Sequence, residues 1–585
     1  KKEAFYRFSR LSLMMRLPIR SAHTQIRYSG KNGKTGLESL ANFYLLSSHV
    51  NLIEKTINEF QGQKNLGDNV ITTLDVDLQQ TASDAIGKHR GAGIGMEPDT
   101  GKILTMVSQP NFNANLVDER WAELISPDNT KAQLVNRATQ GLYPPGSTFK
   151  MLTVLEYMKE NPNTWQDYVY NCNGSYQNGD YTIKCYHGTA HGAQNLIQAF
   201  ANSCNGAFAE IGMQINSEKF RALANQMLFN SELPYTLPYN QSTFSLDGSS
   251  DDWEKLQTAI GQGKTQITPL HNLMIVSAIA NGGTYTKPIF FTKILDRNGK
   301  ILIDNEPETR QALKDSTAYL LTSAMQDVMQ SNTMYTRSGS GVKSTGTTAA
   351  IPNMSCAGKS GTTTSNVDVW FVGFTPYYTA GIWGGCDNNQ PLKGGTVSNG
   401  GTSYHKRIWR NIMTRVHESL SDPGFTVPDS IETAEVCRKS GKLPVSGVCS
   451  SDPRGTAVYT EYFAKGTVPT ETCDHHTRVT ICSASGGIST AFCPTNQQIS
   501  KTVMVVPEDG GETDDSRFSM PGECKIHNGS STIIHPSESA DFSAPGYSPD
   551  SDNLSAPIHS AVPRPMAGSG RNGNNIPIVP ANPEH

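Results

Sequence analysis

The sequence lacks a run of apolar residues long enough to span a bilayer, which takes about 18–20 residues. Residues 1–20 contain no apolar core of the kind found in signal peptides. Charge is nearly balanced, since 49 Lys and Arg oppose 53 Asp and Glu for a formal net charge of −4. Without a broadly basic surface, nucleic acid is not expected as a partner. We therefore expect the chain as printed to be a soluble polypeptide.

The eleven cysteines lack the Cys-x2–4-Cys spacing that is usual in zinc sites. Residues 473–476 (Cys-Asp-His-His) could supply metal ligands, but no second knuckle accompanies them, so neither a metal nor a cofactor is predicted. Wide gaps favour disulfides in an exported protein, as they do for Cys172 and Cys185. The odd total leaves at least one thiol unpaired. The C-terminal cysteines are Cys437, Cys449, Cys473, Cys482, Cys493 and Cys524.

What the chain does have is length and apolar content. With 585 residues, of which 36% are hydrophobic, it exceeds one small module and can bury a sizeable core. No internal repeat is found. The predicted segments are a linker or stalk at 1–66, a main domain at 67–420, a Cys-rich extension at 421–534, and a disordered tail at 535–585 that is rich in Pro, Ser, Gly and Asn.

The main domain shows strand patterns before and after a block that is mostly helical, from about residue 113 to 340. A hairpin turn is predicted at Glu97–Gly101. Because the links between neighbouring strands are short, the sheet is predicted to be antiparallel. Strands are predicted at 70–74, 354–364, 367–376 and 378–387, and helices at 77–88 and 404–419.

The first pattern that carries chemistry is the segment YPPGSTFK, which ends at Lys150. Two prolines and a glycine force a turn, after which an apolar-periodic helix begins. Ser147 then lies on the first helical turn, and Lys150 projects from the same face at about 5–6 Å between Cβ atoms. A serine beside a lysine is a nucleophile beside a potential base, and the helix N-terminus favours an anionic intermediate.

Alone, this Ser-x-x-Lys spacing is weak, because it recurs at Ser340 and Ser403. Two further patterns give it context: Ser203-Cys204-Asn205 between two helical stretches, and Lys359-Ser360-Gly361 on a strand that is followed by another strand. Only the series that starts at Ser147 has all three patterns in this order. Within it, Cys204 is expected to be a small packed side chain.

With these motifs in this order, the sequence resembles the penicillin-binding proteins, the serine acyltransferases that cross-link peptidoglycan. The resemblance covers about residues 70–418 and includes TTLDVDLQQTA, YPPGSTFK, FANSCN, AIGQGKTQITPLHNL and AGKSGTTT. It implies an α/β (α+β) fold of the penicillin-binding and serine β-lactamase type. This fold has a five-stranded antiparallel sheet flanked by helices, plus an all-helical subdomain at about 113–340. Residues 67–420 would then be the transpeptidase domain.

The resemblance also implies roles for individual residues. Ser147 is the expected nucleophile, which attacks the penultimate D-alanine carbonyl, and Lys150 is its expected activator. Ser203 is expected to pass a proton to the leaving amine. Asn205 is expected to hold Lys150 and the backbone of the donor peptide. Lys359 supplies positive charge for the substrate carboxylate.

Residues that follow this lysine are expected to bind substrate. The hydroxyls of Thr362 and Thr363 can hydrogen-bond the substrate carboxylate, and Gly361 leaves the strand edge open for a substrate strand. Ser360 is expected to bind substrate as well. The backbone N–H groups of Ser147 and Thr362 are expected to form the oxyanion hole.

The implied function is a peptidoglycan D,D-transpeptidase that works through a serine acyl-enzyme and is covalently inhibited by β-lactams. Stem peptides and β-lactams are the expected ligands, and a membrane glycosyltransferase is a further expected partner. The expected location is the extracytoplasmic face of the bacterial membrane, with the anchor outside this chain. A D,D-carboxypeptidase, a β-lactam-binding sensor and a β-lactamase remain alternatives.

The class within the family stays open. Carboxylate motifs of the family's glycosyltransferase domain are absent, which predicts a monofunctional chain similar to class B members. The segment VCRKSGKLPVSGVC, in contrast, resembles the tail of bifunctional class A members.

Three other features have simpler explanations. Residues 261–265 (GQGKT) look like a phosphate-binding loop, but position 258 is Thr rather than the required glycine, so nucleotide binding is rejected. His187 and His191 are expected to pack or hydrogen-bond in a loop rather than bind metal. Trp370 and Trp383 are expected in the core.

Overall fold

The computed structural model describes residues 37, 40–45, 52–62, 67–330, 333–335, 341–386, 390–392, 404–453, 455–505 and 520–527. Most of the predicted linker at 1–66 and all of the predicted tail at 535–585 lie outside these residues. In the part of the chain that is described, no helix is both long and apolar enough to cross a membrane.

Short strands and helices of moderate length follow one another along the chain. The strands are β1 Asn69–Thr72, β2 Gly91–Met96, β3 Ile103–Gln109, β4 Val169–Cys172, β5 Ser175–Asn178, β6 Tyr181–Lys184, β7 Gly192–Asn195, β8 Thr284–Thr286, β9 Phe291–Leu295, β10 Ile301–Asp304, β11 Thr309–Gln311, β12 Thr333–Tyr335, β13 Gly341–Lys343, β14 Ala357–Thr362, β15 Asp368–Phe374, β16 Thr379–Gly385, β17 Ile431–Cys437, β18 Val458–Ala464, β19 His476–Cys482 and β20 Gln498–Met504. The α-helices are α1 Asn42–Leu45, α2 Leu52–Phe60, α3 Val76–Ile86, α4 Val117–Leu124, α5 Lys150–Glu160, α6 Leu196–Ala201, α7 Asn205–Gln214, α8 Ser217–Gln226, α9 Asp252–Ala259, α10 Pro269–Ala280, α11 Asp315–Met329 and α12 Tyr404–Val416.

The central sheet has five antiparallel strands in the order β14-β15-β16-β2-β3. Strands distant in sequence meet in it, because β2 and β3 precede the helical block whereas β14 to β16 follow it. Every residue of β15 and β16 is buried. The predicted five-stranded antiparallel sheet is therefore confirmed, and the predicted turn at Glu97–Gly101 joins β2 to β3.

Helices cover both faces of this sheet. On one face α10 packs against β2, β15 and β16, and its Leu273 shares an apolar cluster with Trp370 and Trp383. On the other face α3 and α12 pack together, and Trp409 of α12 contacts Phe371. Because successive strand residues point to opposite faces, Trp370 and Phe371 belong to different layers. Trp370 and Trp383 are buried, as predicted.

The block from about 113 to 340 contains helices α4 to α11, but it also contains strands β4 to β12. The expected all-helical subdomain is thus corrected to a helical subdomain with added short strands. Strands of 3 to 5 residues are too short to show a clear alternation of apolar and polar residues between helical segments. One such pair, β4 with β7, lies beside the candidate active site and shapes it.

The predicted Cys-rich extension forms two hairpins in succession. Strand β17 pairs with β18 and β19 pairs with β20, each along its full length. Cys437 is the last residue of β17, and Cys482 is the last residue of β19. The same plan therefore occurs twice, and the expectation of no internal repeat is wrong. The two copies share their backbone geometry and a few residue types at equivalent positions. This similarity is too small to be detected as a repeated sequence.

Candidate active site

The first motif forms a turn that leads into a helix. After two prolines the chain makes a 3-10 turn, Gly146–Phe149, and enters α5 at Lys150. Ser147 is partly exposed, whereas the other three residues of the turn are buried. Ser147 therefore remains accessible to a ligand on a turn that is otherwise packed.

Two glycines hold this turn in place. Gly146 has a φ of +53° and donates its N–H to the Gly261 carbonyl over 2.8 Å. A Cβ on Gly146 would lie 2.9 Å from the Thr362 carbonyl oxygen, and one on Gly261 (φ +75°) would overlap the Gly146 oxygen. The sequence predicts no structural role for Gly261, because a positive φ cannot be predicted from a motif. Its role is to let the turn that carries Ser147 pack closely.

The second motif lies in the sharp connection between α6 and α7. Ser203 has a φ of +58°, a left-handed conformation that is uncommon for a residue with a side chain and costs about 1–3 kcal/mol. Cys204 is the N-cap of α7, and its Sγ accepts the Ala207 N–H at 3.4 Å. The strained residue is therefore held between two helices, as is common at functional sites.

Lys150 reaches from α5 to this connection. Its side chain is fully buried, and Nζ donates to the Ser203 carbonyl at 2.8 Å and to Asn205 Oδ1 at 2.8 Å. Nζ also lies 3.4 Å from Ser203 Oγ. Burial lowers the pKa of Lys150 from its ordinary 10.5 to about 8, partly opposed by the thiols of neighbouring cysteines. At pH 7 about a tenth of the amine is then neutral, and this fraction can act as a general base.

Lys359 approaches the same hydroxyl from the sheet. It lies within β14, is fully buried, and donates to Ser203 Oγ at 3.0 Å and to the Ser360 carbonyl at 3.1 Å. Burial and the nearby Lys150 lower the pKa of Lys359 well below its ordinary value. The Ser203 hydroxyl thus lies within hydrogen-bond reach of two buried amines that come from distant parts of the chain. A proton can pass between these amines through one oxygen.

Asn205 connects the site to the small strands of the helical subdomain. Its Oδ1 accepts from Lys150, and its Nδ2 donates to the Lys184 carbonyl at the end of β6 over 2.9 Å. The amide is therefore held at both ends, and it fixes the lysine amine.

The strand residues after Lys359 are not equivalent. Thr363 Oγ1 donates to Asp368 Oδ2 at 3.0 Å and accepts the Asp368 N–H at 2.9 Å, so this hydroxyl is engaged within the fold. The expectation that this hydroxyl also binds substrate stays a prediction. Thr362 is only partly buried, whereas Ser360 is buried. Thr362 is thus the accessible hydroxyl of the pair.

Gly361 is required by packing against the nucleophile turn. A Cβ there would lie 3.0 Å from the Pro145 carbonyl and 3.0 Å from Trp370 Cβ. The Gly146 α-carbon in turn faces Thr362, whose nitrogen would lie 3.3 Å from an added Cβ. The turn that carries Ser147 and the end of β14 therefore lie side by side, which is the placement that an oxyanion hole built from their N–H groups needs.

A second cluster of reactive side chains adjoins the site through Cys204. Cys172, Cys185, His191 and Cys204 are buried, and their Sγ and Nδ1 atoms all lie within 4.8 Å of one another. Pairing of β4 with β7, with Cys172 opposite Gly192, brings His191 to this cluster. Sequence reasoning missed it because the ligands lie far apart along the chain and no knuckle marks them.

Distances in this cluster correct several predictions. Cys172 Sγ lies 3.6 Å from Cys185 Sγ and 3.3 Å from His191 Nδ1, and Cys185 Sγ lies 3.7 Å from Cys204 Sγ. A disulfide needs about 2.05 Å, so the predicted disulfides are wrong, and all eleven cysteines are free thiols. Ligands at about 2.3 Å from a tetrahedral zinc ion have sulfurs about 3.8 Å apart. These four residues could therefore hold a metal ion, contrary to the expectation that His191 and Cys204 only pack.

Comparison with known proteins agrees with this geometry. Residues 91–414, more than half of the chain, match the family model of the penicillin-binding protein transpeptidase domain. The chain belongs to the penicillin-binding proteins. Residues 427–478 match a second model, the C-terminal domain of penicillin-binding protein 1A. The family resemblance and the class A-like tail predicted from the sequence are confirmed.

The relatives are named penicillin-binding protein 1A or peptidoglycan D,D-transpeptidase PbpA. Penicillin-binding protein 1A of Clostridium botulinum strain Langeland is 34% identical over 236 residues, which are 40% of this chain and 26% of that protein. The peptidoglycan D,D-transpeptidase PbpA of Mycolicibacterium smegmatis is 29% identical over 375 residues, which are 60% of this chain and 73% of that protein. The chain spans about a quarter to a half of the length of the clostridial relatives.

Solved structures of the family share the fold. The imipenem acyl-enzyme complex of penicillin-binding protein A from M. tuberculosis has a TM-score of 0.56 at 26% identity, and the match covers 66% of this chain and 88% of that one. The D,D-transpeptidase domain of a peptidoglycan glycosyltransferase from Eggerthella lenta has a TM-score of 0.52 at 28% identity, with 62% and 86% covered. The predicted fold class is confirmed.

Proposed function

We propose that the chain is a peptidoglycan D,D-transpeptidase that forms an acyl-enzyme on Ser147 and is covalently inhibited by β-lactams. The observation that carries this proposal is the Ser203 hydroxyl, which lies 3.4 Å from Lys150 Nζ and 3.0 Å from Lys359 Nζ, in a site that adjoins the Ser147 turn. Relatives named D,D-transpeptidase and family structures that contain β-lactam acyl-enzymes support the same assignment.

In the acylation step, Ser147 Oγ attacks the carbonyl carbon of the penultimate D-alanine. Lys150 in its neutral form takes the serine proton, and the N–H groups of Ser147 and Thr362 stabilise the resulting oxyanion. Removing one such donor typically costs about 10²–10³ in rate. The peptide C–N bond then breaks, and the leaving amine takes a proton from Ser203 Oγ. The Ser203 hydroxyl then recovers a proton from Lys150. In effect, the proton that Ser147 released is passed through Lys150 and Ser203 to the leaving amine.

Substrate binding follows from charge and position. The terminal carboxylate of the stem peptide lies near Lys359, whose charged form it favours, and accepts from the Thr362 hydroxyl, while Thr363 stabilises the strand end through Asp368. An amine from a second stem peptide then attacks the ester, which releases Ser147 and forms the cross-link. The family acts on peptidoglycan outside the cytoplasm. We propose the extracytoplasmic face of the bacterial membrane as the location and a membrane glycosyltransferase as a partner.

Two domain boundaries go with this proposal. The matched transpeptidase segment, 91–414, falls inside the predicted domain at 67–420, and the matched 427–478 falls inside the predicted extension at 421–534. We propose these boundaries for the catalytic domain and the extension.

The test is covalent labelling with a fluorescent penicillin, followed by intact mass and peptide mapping. Wild type and Ser249→Ala, a matched change at an exposed loop serine, should label equally on Ser147. Ser147→Ala should fold but lose the label completely, because the ester oxygen is gone. Labelling that persists in Ser147→Ala would overturn the assignment.

Companion assays separate the alternatives. Release of D-alanine without cross-linked dimer would favour a D,D-carboxypeptidase. Rapid turnover of a chromogenic cephalosporin would favour a β-lactamase. A stable acyl-enzyme that releases no D-alanine from stem peptides would favour a sensor.

A further inference from the structure

The two C-terminal hairpins are copies of one structural module that carries its own set of potential ligands. We call residues 431–476 the first module and residues 476–527 the second module. Each contains three cysteines and one histidine whose Sγ and Nδ1 atoms lie within 4.8 Å of one another. The sets are Cys437, Cys449, Cys473 and His476, and Cys482, Cys493, Cys524 and His527.

Backbone hydrogen bonds show that the turns after the first cysteines are equivalent. Cys437 N–H donates to the Lys442 carbonyl at 2.8 Å, and the Gly441 N–H donates to the Cys437 carbonyl at 2.8 Å. In the second module the corresponding bonds, from Cys482 to Gly487 and from Gly486 to Cys482, have the same lengths of 2.8 and 2.8 Å. Gly441 and Gly486 have φ of +70° and +72°.

The third cysteine also enters each module in the same way. Cys473 N–H donates to the Leu443 carbonyl at 2.7 Å, and Leu443 forms an isolated parallel bridge with Thr472. Cys524 N–H donates to the Ile488 carbonyl at 2.8 Å, and Ile488 forms the same bridge with Glu523. Each histidine follows its cysteine by three positions. Matching turns, bridges and ligand order make the second module a repeat of the first.

The donor geometry fits a metal ion rather than a disulfide. His476 Nδ1 lies 3.4 Å from Cys437 Sγ and 3.4 Å from Cys473 Sγ. His527 Nδ1 lies 3.4 Å from Cys482 Sγ and 3.6 Å from Cys524 Sγ. Sulfur and nitrogen ligands of one tetrahedral zinc ion are about 3.5 Å apart. Three thiols in each set would also leave one unpaired if a disulfide formed.

Surrounding groups support thiolate and imidazole ligands. His476 Nε2 lies 2.8 Å from Asp452 Oδ2, and both side chains are buried. A carboxylate on the far nitrogen is the usual orienting partner of a metal-bound histidine. Backbone N–H groups donate to Cys449 Sγ at 3.3 Å, to Cys493 Sγ at 3.3 Å and to Cys524 Sγ at 3.4 Å.

The ligands make up a large part of each module's buried apolar residues. Among the described residues, the cysteines of the first module cluster with Ala457, and those of the second cluster with one another. The other buried apolar side chains are few: Ile431, Val436 and Phe463 in the first module, and Ile481, Val503 and Met504 in the second. Metal binding supplies folding free energy in small domains whose apolar burial is limited.

We propose that residues 431–527 are two tandem copies of one Cys3His module, each folded around a structural Zn²⁺. Three thiolates and one imidazole match the ligand preference of zinc, and four protein ligands close the site to substrate. Binding converts three thiols of each module to thiolates and releases their protons. All four ligands of the second module lie beyond residue 478, where both family matches have ended.

The test measures zinc bound to the full-length chain, purified with reductant, by elemental analysis. Cys449→Ser and Cys493→Ser should each lose about one equivalent of zinc relative to wild type, and the double variant about two. Cys386→Ser, a cysteine outside all three clusters, should lose none. Unchanged zinc content in both module variants would overturn the proposal.

A second measurement avoids variants that fail to fold. Titrating wild type with a mercurial reagent should release module zinc as thiols are modified, as detected by a metallochromic dye. Co²⁺ loaded in place of zinc should give the absorption of tetrahedral thiolate sites. Alkylation of the denatured, unreduced chain that leaves the module cysteines unmodified would show disulfides and would overturn the proposal.

Discussion

The transpeptidase domain and the two C-terminal modules contain the same set of four donors in opposite settings. Around Cys204 the donors adjoin a large apolar cluster that includes Phe200 and Phe208 and continues to the sheet. In the modules, the cysteines form the clusters of buried residues, and only a few other apolar side chains are buried around them. The difference teaches that one set of donors can adjoin a catalytic residue in a domain that is already packed, or can lie at the centre of a segment that has little other core.

The largest expected effect of this contrast follows metal removal. A strong chelator should unfold residues 431–527 while the transpeptidase domain stays folded, because the modules bury few apolar side chains besides their cysteines. Limited trypsin digestion should then cut at Arg438 and Arg478 and leave a resistant fragment that still labels with penicillin.

Elemental analysis of the same sample shows whether zinc has been lost. If the modules then stay as resistant to trypsin as before, the contrast between the two regions is wrong. Digestion of both regions at the same rate would also break it.

The next effect separates the two kinds of cluster by matched substitutions. Serine at position 204 can still cap α7 by accepting the Ala207 N–H, but it removes one thiol from the set formed by Cys172, Cys185, His191 and Cys204. Cys204→Ser should therefore slow acylation by penicillin by about 10–100-fold, because Ser203 and Asn205 flank the changed ligand. Cys449→Ser should leave the acylation rate unchanged. Equal effects of the two substitutions would contradict the assignment of separate roles.

A smaller effect concerns pH. Lys150 must be neutral to accept the Ser147 proton, and burial lowers its pKa to about 8. Below this value the charged form dominates, so the acylation rate should fall about tenfold for each pH unit and should level off above it. Stopped-flow labelling from acid to mildly alkaline pH measures the profile. The Cys449→Ser variant should give the same profile, and a rate that is flat across the range would contradict Lys150 as the base.

The smallest expected effects compare two adjacent threonines. Thr363→Ala should destabilise the transpeptidase domain by about 1–3 kcal/mol, because buried Asp368 loses a hydrogen-bond partner. Thr362→Ala should instead slow acylation by about tenfold through a lost bond to the substrate carboxylate, with little change in stability. Chemical denaturation and labelling rates on both variants give the two readouts, and the opposite distribution would reverse the assignment of these hydroxyls.

The catalytic region was largely predictable because its chemistry follows motif order. Ser147, Ser203 and Lys359 lie in short patterns whose helix and strand contexts can be read locally, and the sheet follows from short links between strands. Thr363 could not be assigned in this way, since its bond to Asp368 depends on how the strand end folds back.

The three clusters of three cysteines and one histidine were not predictable from spacing, because their side chains come from strand ends, turns and loops that only the fold brings together. A usable signal was present. Cys437 and Cys482 each precede a glycine by four positions and a Leu or Ile by six. Sequence reasoning took the irregular gaps as a sign of disulfides, whereas each set has three cysteines and a histidine.

His476 is both the last ligand of the first set and the first residue of β19. The boundary between the two copies therefore falls on a shared residue. No spacer separates them in which the chain could be cut or lengthened without disturbing a copy. A truncation meant to keep the first module must end after His476, and an insertion at this junction would disturb both copies. A force applied to the start of β19 would load the first metal site directly.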